Sequence, residues 1–244
     1  MLIWIDDSVK TANFFCPAVK KGIKEIARAH ERGIHFVSGQ RDALRAISEM
    51  PDLDGSDRAL FKRLTNNCTI DANIKENVST FLMIVNKVEA AILMKKAQND
   101  RTYWEAPITT FGKSEAQINQ AMLLAEDLND AIVYSHAAKL YMSDKKYNFK
   151  ISLEQINGGG CNIHKSLECA IAKNERWCLC ITDSDRISPE GDLSDSSKSC
   201  NQVIERYPHY IISHTVLAVR EIENLIPISL LEKAVPDQLQ SHWN

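Results

Sequence analysis

The pattern of hydrophobic and polar positions predicts strands and helices in both halves of the chain. In the N-terminal half, apolar runs at residues 2–5 and 34–37 predict two buried strands, and residues 18–30 show helical periodicity. Apolar side chains at three- and four-residue spacing across residues 78–96 predict a long helix. Residues 99–113 contain proline and glycine and are predicted to be a linker.

Beyond that linker the rhythm changes to short strands that alternate with helices. The pattern predicts strands at residues 121–125, 149–156, 177–182 and about 209–216. Such alternation is typical of a parallel sheet that is covered by helices. We therefore expect an α/β protein with a helix-rich α/β region at residues 1–113 and a parallel sheet flanked by helices at residues 114–244.

Acidic residues follow three of the four strands predicted in the C-terminal half. Ligands of open α/β sheets gather beyond the carboxyl ends of the strands. Several carboxylates at one sheet edge repel one another unless a cation neutralises them, and oxygen ligands suit Mg²⁺ or Mn²⁺. The acids are Glu126 and Asp130 after the first of these strands, Asp183 and Asp185 after the third, and Glu221 and Glu223 after the fourth.

This arrangement resembles the TOPRIM domain of topoisomerases, bacterial primases, small ribonucleases and the OLD-family (overcoming lysogenization defect) nucleases. The resemblance rests on Glu126 after the first strand, on the glycine turn at residues 158–160 and on an apolar strand that ends in Asp183-Ser184-Asp185. It spans roughly residues 117–231. The family commonly has glycine directly after its glutamate, whereas this chain has Asp127.

The resemblance implies roles for individual residues. Glu126 would act in acid/base chemistry and contact metal, and Asp183 and Asp185 would form the metal-binding pair. Asp130 stands where many members have an acid, and Glu221 and Glu223 are similar to the acids that some nuclease members use for a second metal ion. The implied cofactor is therefore Mg²⁺ or Mn²⁺, with two ions in the site.

Glycines and arginines near these acids are candidates for binding substrate. Gly159 and Gly160 precede a predicted helix, whose N-terminus favours a phosphate, although the glycines fit a sharp strand-to-helix turn better. Arg186 and Arg220 flank the acidic motifs and either bind a phosphate or pair with the neighbouring acids.

Composition and charge limit the classes of protein. The net charge of −3 gives no general attraction to nucleic acid, so binding would need local basic patches. Seven cysteines without a framework spacing predict a reducing cytoplasmic location, and the chain has no apolar run long enough for a membrane helix. The residues that could form basic patches for binding nucleic acid are Lys20, Lys21, Lys24, Arg28, Arg32, Lys95, Lys96, Lys145 and Lys146.

The N-terminal region offers a different chemistry. Its first strand ends in Asp6-Asp7, which resembles the start of a receiver domain or of a PIN-like nuclease. Either would need further acids or a lysine at later strand ends. We expect this region to position or regulate the protein.

The leading hypothesis is a metal-dependent nuclease that hydrolyses DNA or RNA. A role in antiviral defence, control by a regulatory ATPase partner and homo-oligomer formation are implied by the resemblance alone. One alternative is a non-catalytic TOPRIM-like module that binds a nucleotide or a partner. Another is a receiver-like signalling protein.

Overall fold

Two sheets, each with its own helices, form the protein. They are seen in a computed structural model that describes residues 1–87, 94–98, 101–113, 118–147, 149–150, 152–173, 177–188, 190–227 and 229. The α/β class predicted from the sequence is confirmed in both halves.

The N-terminal sheet is mixed and has the strand order β2-β1-β3-β5-β4. Its strands run parallel except β4, which is antiparallel to β5. The first strand is buried on both faces, as expected of an interior parallel strand. The strands are β1 (Leu2–Ile5), β2 (Phe36–Gly39), β3 (Thr80–Val85), β4 (Met94–Gln98) and β5 (Arg101–Pro107).

Helices of the N-terminal half bury apolar side chains against this sheet. The first helix has proline at its first position, where the missing amide proton costs no hydrogen bond. It then buries Val19, Ile23 and Ile26, at the spacing of one helical face. The helices are α1 (Pro17–Glu31), α2 (Arg41–Ser48), α3 (Gly55–Asn77) and α4 (Thr110–Lys113), with a 3-10 helix at Asp7–Thr11.

The long helix predicted at residues 78–96 is wrong. β3 occupies its first part and β4 its last part, while residues 88–93 lie outside the described residues. Phe81, Leu82 and Ile84 are all buried, because this central strand is covered on both faces. A continuous apolar run also satisfies helical spacing, so periodicity alone did not separate the two structures. The linker predicted at residues 99–113 is likewise wrong, since it contains β5.

The C-terminal sheet confirms the predicted parallel arrangement, with the order β7-β6-β8-β9. α6 and α7 pack on one face of it, whereas α5 contacts the other. Its strands are β6 (Ala121–Ala125), β7 (Leu153–Asn157), β8 (Cys178–Thr182) and β9 (Ile212–Val216). Its helices are α5 (Leu128–Asp144), α6 (Ile163–Lys173) and α7 (Asp195–Arg206), with 3-10 helices at Gly160–Asn162 and Ile222–Leu225.

The amino ends of the C-terminal strands pack against the N-terminal half. Ile118 and Ile211, just before β6 and β9, belong to the N-terminal hydrophobic core. The His35 ring contacts the Trp177 ring at a tilt of 36°, with the centroids 4.3 Å apart, and its Nε2 lies 2.8 Å from the carbonyl oxygen of Asn119. The carboxyl ends of the same strands, where the acids lie, are therefore at the opposite edge of the sheet.

Within the described residues, no helix combines the length and the apolar character that crossing a membrane requires.

Candidate functional site

Glu126 and Asp183 come together because their strands are neighbours. β6 and β8 pair in parallel with Ala125 opposite Ile181, so the residues that follow leave the sheet side by side. The backbone amide of Asp183 donates a hydrogen bond to Oε1 of Glu126 over 3.3 Å. Both side chains are half-buried. The structure thus places the first-strand glutamate directly beside the first aspartate of the Asp-Ser-Asp motif.

The electrostatics of Asp183 are those of a crowded acidic site. Burial is the largest cause that raises the pKa of this carboxyl to about 7, and the neighbouring carboxyls of Glu126, Asp130, Asp185 and Glu223 contribute to the same rise. The pKa of Glu126 is also raised, first by burial and then by Asp185 and Asp130, against the opposing hydrogen bond from Asp183. Asp183, Glu126, Asp130, Asp185 and Glu223 therefore form one interacting group, the acidic set.

Asp185 lies in a loop that is tied to the segment after β9. The backbone amides of Ser184 and Asp185 both donate to the carbonyl oxygen of Arg220, over 3.1 and 3.0 Å. The Ser184 hydroxyl donates to the carbonyl oxygen of Val219. Asp185 adopts a φ of 53°, in the left-handed region that aspartate tolerates better than most residues. The exposed carboxylate of Asp185 is thus carried by a fixed backbone.

Asp127 and Asp130 form the N-terminal cap of α5. The Asp127 side chain accepts from the amide of Asn129, and Asp130 Oδ2 accepts from the amide of Asp127 over 3.1 Å. This capping box explains why aspartate follows Glu126, where the resembled family commonly has glycine. Burial raises the pKa of Asp130, and Asp127 and Glu223 add to the shift. Asp130 therefore belongs both to the helix cap and to the acidic set.

The two glutamates after β9 have different surroundings. Glu223 interacts electrostatically with Asp183 and Asp130 and so belongs to the acidic set. Glu221 instead caps the 3-10 helix at Ile222–Leu225, and its carboxylate lies 3.3 Å from Nε of Arg220. Of the two, only Glu223 is among the acids that raise the pKa of Asp183.

The glycine turn after β7 uses its amides within the protein. Gly159 donates to Oδ1 of Asn157, and Gly160 donates to the backbone carbonyl of Glu126 over 2.9 Å. The φ angles of these two glycines are 79° and 61°. The observed contacts are those of a strand-to-helix turn that holds the backbone of Glu126. Binding of a substrate phosphate by these amides stays a prediction.

The basic residues near the site and elsewhere are unequal candidates for binding an anion. Arg220 is more than half exposed and pairs with Glu221, while Arg186 is half-buried in the loop after Asp185. On α1, Lys20 pairs with Asp52, and Lys24 pairs with Asp54. Part of the positive charge of α1 is thus neutralised within the protein.

Several residues at the site were not predicted from the sequence. Tyr134 lies one helical turn after Asp130; burial and then the charges of Asp183, Asp130 and Glu126 raise its pKa. Behind Asp183, the Ser197 hydroxyl donates to the Asp183 carbonyl over 2.8 Å and contacts Thr182 Oγ1 at 2.7 Å. The contacts of Ser197 with Asp183 and Thr182 join different elements, so no local spacing in the sequence reveals them.

The acid pair of the first strand has local roles. Asp6 accepts a hydrogen bond from the amide of Ser8, and Asp7 pairs with Lys10. The neighbouring strand β3 is followed by Asn86 and Lys87, an amide and a lysine rather than an acid. The receiver-like and PIN-like interpretations stay predictions.

One tight group of metal-ligating side chains stands out in the part of the chain that the structure describes. It consists of Cys180, Cys200 and His214, whose donor atoms all lie within 4.8 Å of one another. The carboxylates of the acidic set are more widely spaced, so side-chain rotation would be needed to bring three of them onto one ion. Comparisons with protein-family models, with curated proteins and with solved structures find no match to this chain.

Proposed function

We propose that the protein is a metal-dependent phosphodiesterase that cuts DNA or RNA at the carboxyl edge of its C-terminal sheet. The observation that carries this proposal is the interaction of Asp183 with four other acids, Glu126, Asp130, Asp185 and Glu223. The resemblance to TOPRIM nucleases, drawn from Glu126, the glycine turn and the Asp-Ser-Asp motif, supports the same reaction. A role in antiviral defence and control by an ATPase partner belong to this proposal through the resemblance alone.

The donor chemistry of the acidic set fits Mg²⁺ or Mn²⁺. Carboxylate oxygens are the hard ligands that these ions prefer. Glu126, Asp183 and Asp185 would hold the first ion, and Glu223 with Asp130 would contribute to a second. Glu221 would have to leave its helix cap to take part. When bound, such an ion lowers the pKa of coordinated water and stabilises charge on a phosphate oxygen.

The side chains of the protein supply the proton transfer. Glu126, the half-buried glutamate to which the TOPRIM resemblance assigns acid/base chemistry, would accept a proton from the attacking water. The water oxygen then bonds to phosphorus, the opposite P–O bond breaks, and the leaving oxygen takes a proton from solvent. The Tyr134 phenol, which stays protonated beside the acids, is a hydrogen-bond donor for this edge.

The Asp183 backbone is positioned from behind the site. Ser197 on α7 holds its carbonyl, and the Glu126 side chain holds its amide. The exposed guanidinium of Arg220 lies in the segment that anchors Asp185 and is the candidate for binding a substrate phosphate. These contacts would orient the substrate and the aspartate before the reaction, which lowers the entropic cost of reaching the transition state.

The test is cleavage of labelled plasmid, single-stranded DNA and RNA with Mg²⁺, with Mn²⁺ or with EDTA. We expect cleavage of one substrate class by the parent protein with metal, and at least about a hundredfold loss in Glu126→Gln and Asp183→Asn, as for removal of a group that acts in the transition state. Asp144→Asn, at the exposed end of α5, is the matched control and should cut at the parent rate. Equal cleavage by all variants, or cleavage in EDTA, would exclude the proposed site.

A further inference from the structure

A second cluster of potential ligands lies behind the sheet edge that carries the acidic set, on the other side of Thr182. Cys180, Cys200 and His214 come from β8, α7 and β9, and their donor atoms lie within 4.8 Å of one another. Both cysteines are fully buried. The donors are two sulfurs and an imidazole, so this cluster differs in chemistry from the carboxylates.

The strand pattern explains how the cluster forms. Alternate residues of β8 point to the same face, so Cys178, Cys180 and Thr182 all face α7. β8 and β9 pair in parallel with Cys180 opposite His214, which brings the imidazole beside the thiol. α7 packs across this face and buries Cys200 in the same hydrophobic cluster.

The donor atoms suit a soft cation. Thiolates and a neutral imidazole are the forms of these side chains that coordinate a metal, and a soft cation would stabilise both cysteines as thiolates in this buried place.

The surroundings of the imidazole resemble the outer shell of a metal site. Nδ1 of His214 lies 2.8 Å from Oδ1 of Asn201, an acceptor that places the ring proton on Nδ1. The lone pair of Nε2 is then available, and it now contacts Thr182 Oγ1 at 2.9 Å. A metal ion would replace this hydroxyl contact.

We propose that Cys180, Cys200 and His214 bind one Zn²⁺ ion. Thiolates and imidazole are ligands that zinc sites use, and thiolates select zinc over the hard ions that carboxylates prefer. Binding exchanges the thiol protons for the ion and releases them to solvent. The site would fasten β8, α7 and β9 together behind Asp183. This inference does not depend on the proposed nuclease activity.

Cobalt is the probe for the test, because Co²⁺ bound to thiolates absorbs in the near ultraviolet and Zn²⁺ displaces it. Full-length protein, reduced and freed of metal with a chelator, is titrated with Co²⁺ alone and then with Zn²⁺ alone. We expect one equivalent of Co²⁺ to produce the thiolate band and one equivalent of Zn²⁺ to remove it. Asn201→Ala should weaken Zn²⁺ binding about 10- to 100-fold, as loss of an outer-shell partner does.

Two further variants separate this site from packing alone. Cys200→Ser should lose the band, with His214→Asn as the second variant if the serine protein does not fold by circular dichroism. The exposed Cys169→Ser on α6 and the acidic-site variant Asp183→Asn should keep it. A folded parent protein without the band, or a band that survives in Cys200→Ser and His214→Asn, would show that the thiols and imidazole only pack. Absence of metal-dependent cleavage by a parent protein that shows the band would contradict the proposed function and leave this site standing.

Discussion

At the scale of single residues, ionisation of Asp183 is opposed both by burial and by the neighbouring acids of the candidate site. Its carboxyl is half-buried and has acidic neighbours directly after β6, on α5, in its own loop and in the segment after β9. A pKa of about 7 means that at neutral pH the folded protein holds a proton there about half of the time. In an unfolded chain this carboxyl ionises near its ordinary pKa of about 4. Folding stability is therefore linked to pH through this group.

The sign of that linkage gives a prediction for metal-free protein. Between pH 4 and 7 the folded state binds more protons at Asp183 than the unfolded state does, so its contribution to stability falls as pH rises through this window. Asp183→Asn removes the charge, and its melting temperature should exceed that of the parent by more at pH 8 than at pH 5. Thermal melts in EDTA across this range, with Asp144→Asn as the control, measure it. A difference that does not change with pH would contradict the raised pKa.

The sequence predicted some of the site residues and not others, for a physical reason. Glu126, Asp183 and Asp185 could be predicted because each directly follows an apolar strand, and parallel strands end at one edge. Ser197 could not be predicted, because its contact with the Asp183 carbonyl spans 14 residues and depends on how α7 packs. The same holds for the separation of Glu223 from Glu221, which depends on a helix cap.

At the scale of elements, the turn from β7 to α6 shapes the edge beside Glu126. A Cβ atom at Gly158 would lie 2.5 Å from the Ala125 carbonyl oxygen and 2.7 Å from the Ile163 side chain. A side chain at Gly159 would meet no atom within 4 Å, although its φ is 79°. Close approach of backbone therefore requires glycine at position 158, whereas position 159 requires it only for its conformation.

These two glycines give a matched pair of substitutions. Gly158→Ala forces the turn away from β6 and should lower the free energy of unfolding by about 3 kcal/mol, as overpacking against fixed atoms does. Gly159→Ala adds only left-handed strain and should cost about 1 kcal/mol. Urea denaturation followed by circular dichroism compares them. If Gly159→Ala costs as much as Gly158→Ala, the close contact with Ala125 is not what limits this turn.

Strands and helices were predicted correctly where the hydrophobic period and the length of the apolar run indicated the same kind of element. The four strands of the C-terminal sheet alternate with helices and end in polar residues, so the alternation of strands and helices could be predicted. β3 was predicted as helix because its apolar run fits both periods. The burial that makes it a strand comes from β1 and β5 on either side, which the local sequence does not contain.

At the scale of the whole molecule, the C-terminal sheet contacts the N-terminal half at the amino ends of its strands. The acids lie at the carboxyl ends of the same strands. His35, Trp177, Ile118 and Ile211 join the halves at the amino ends of the C-terminal strands. The boundary that the change of rhythm in the sequence indicates near residue 113 stays a prediction. The extent of the contact was not, because it pairs residues as far apart as His35 and Trp177.

Trp177 tests how strongly the halves are joined. Its ring packs against the tilted ring of His35 and contacts the N-terminal core, so Trp177→Ala should lower the free energy of unfolding by about 3 kcal/mol. We expect the parent protein to unfold in one transition by urea, and the variant to show an earlier loss of the C-terminal sheet. Tyr207→Ala, exposed at the end of α7, is the aromatic control. An unchanged midpoint for Trp177→Ala would mean that the contact contributes little.

The most direct measurement is calorimetric titration of the full-length protein with Mn²⁺ at pH 8 and at pH 6. We predict binding at pH 8 that weakens at pH 6, because a proton on Asp183 competes with the ion below a pKa of about 7. Glu126→Gln and Asp183→Asn should each weaken binding at least about tenfold, a loss of about 1.4 kcal/mol, while Asp144→Asn binds as the parent does. Absence of Mn²⁺ binding by the parent, or equal binding by Asp183→Asn, would contradict a metal centre at the acidic edge.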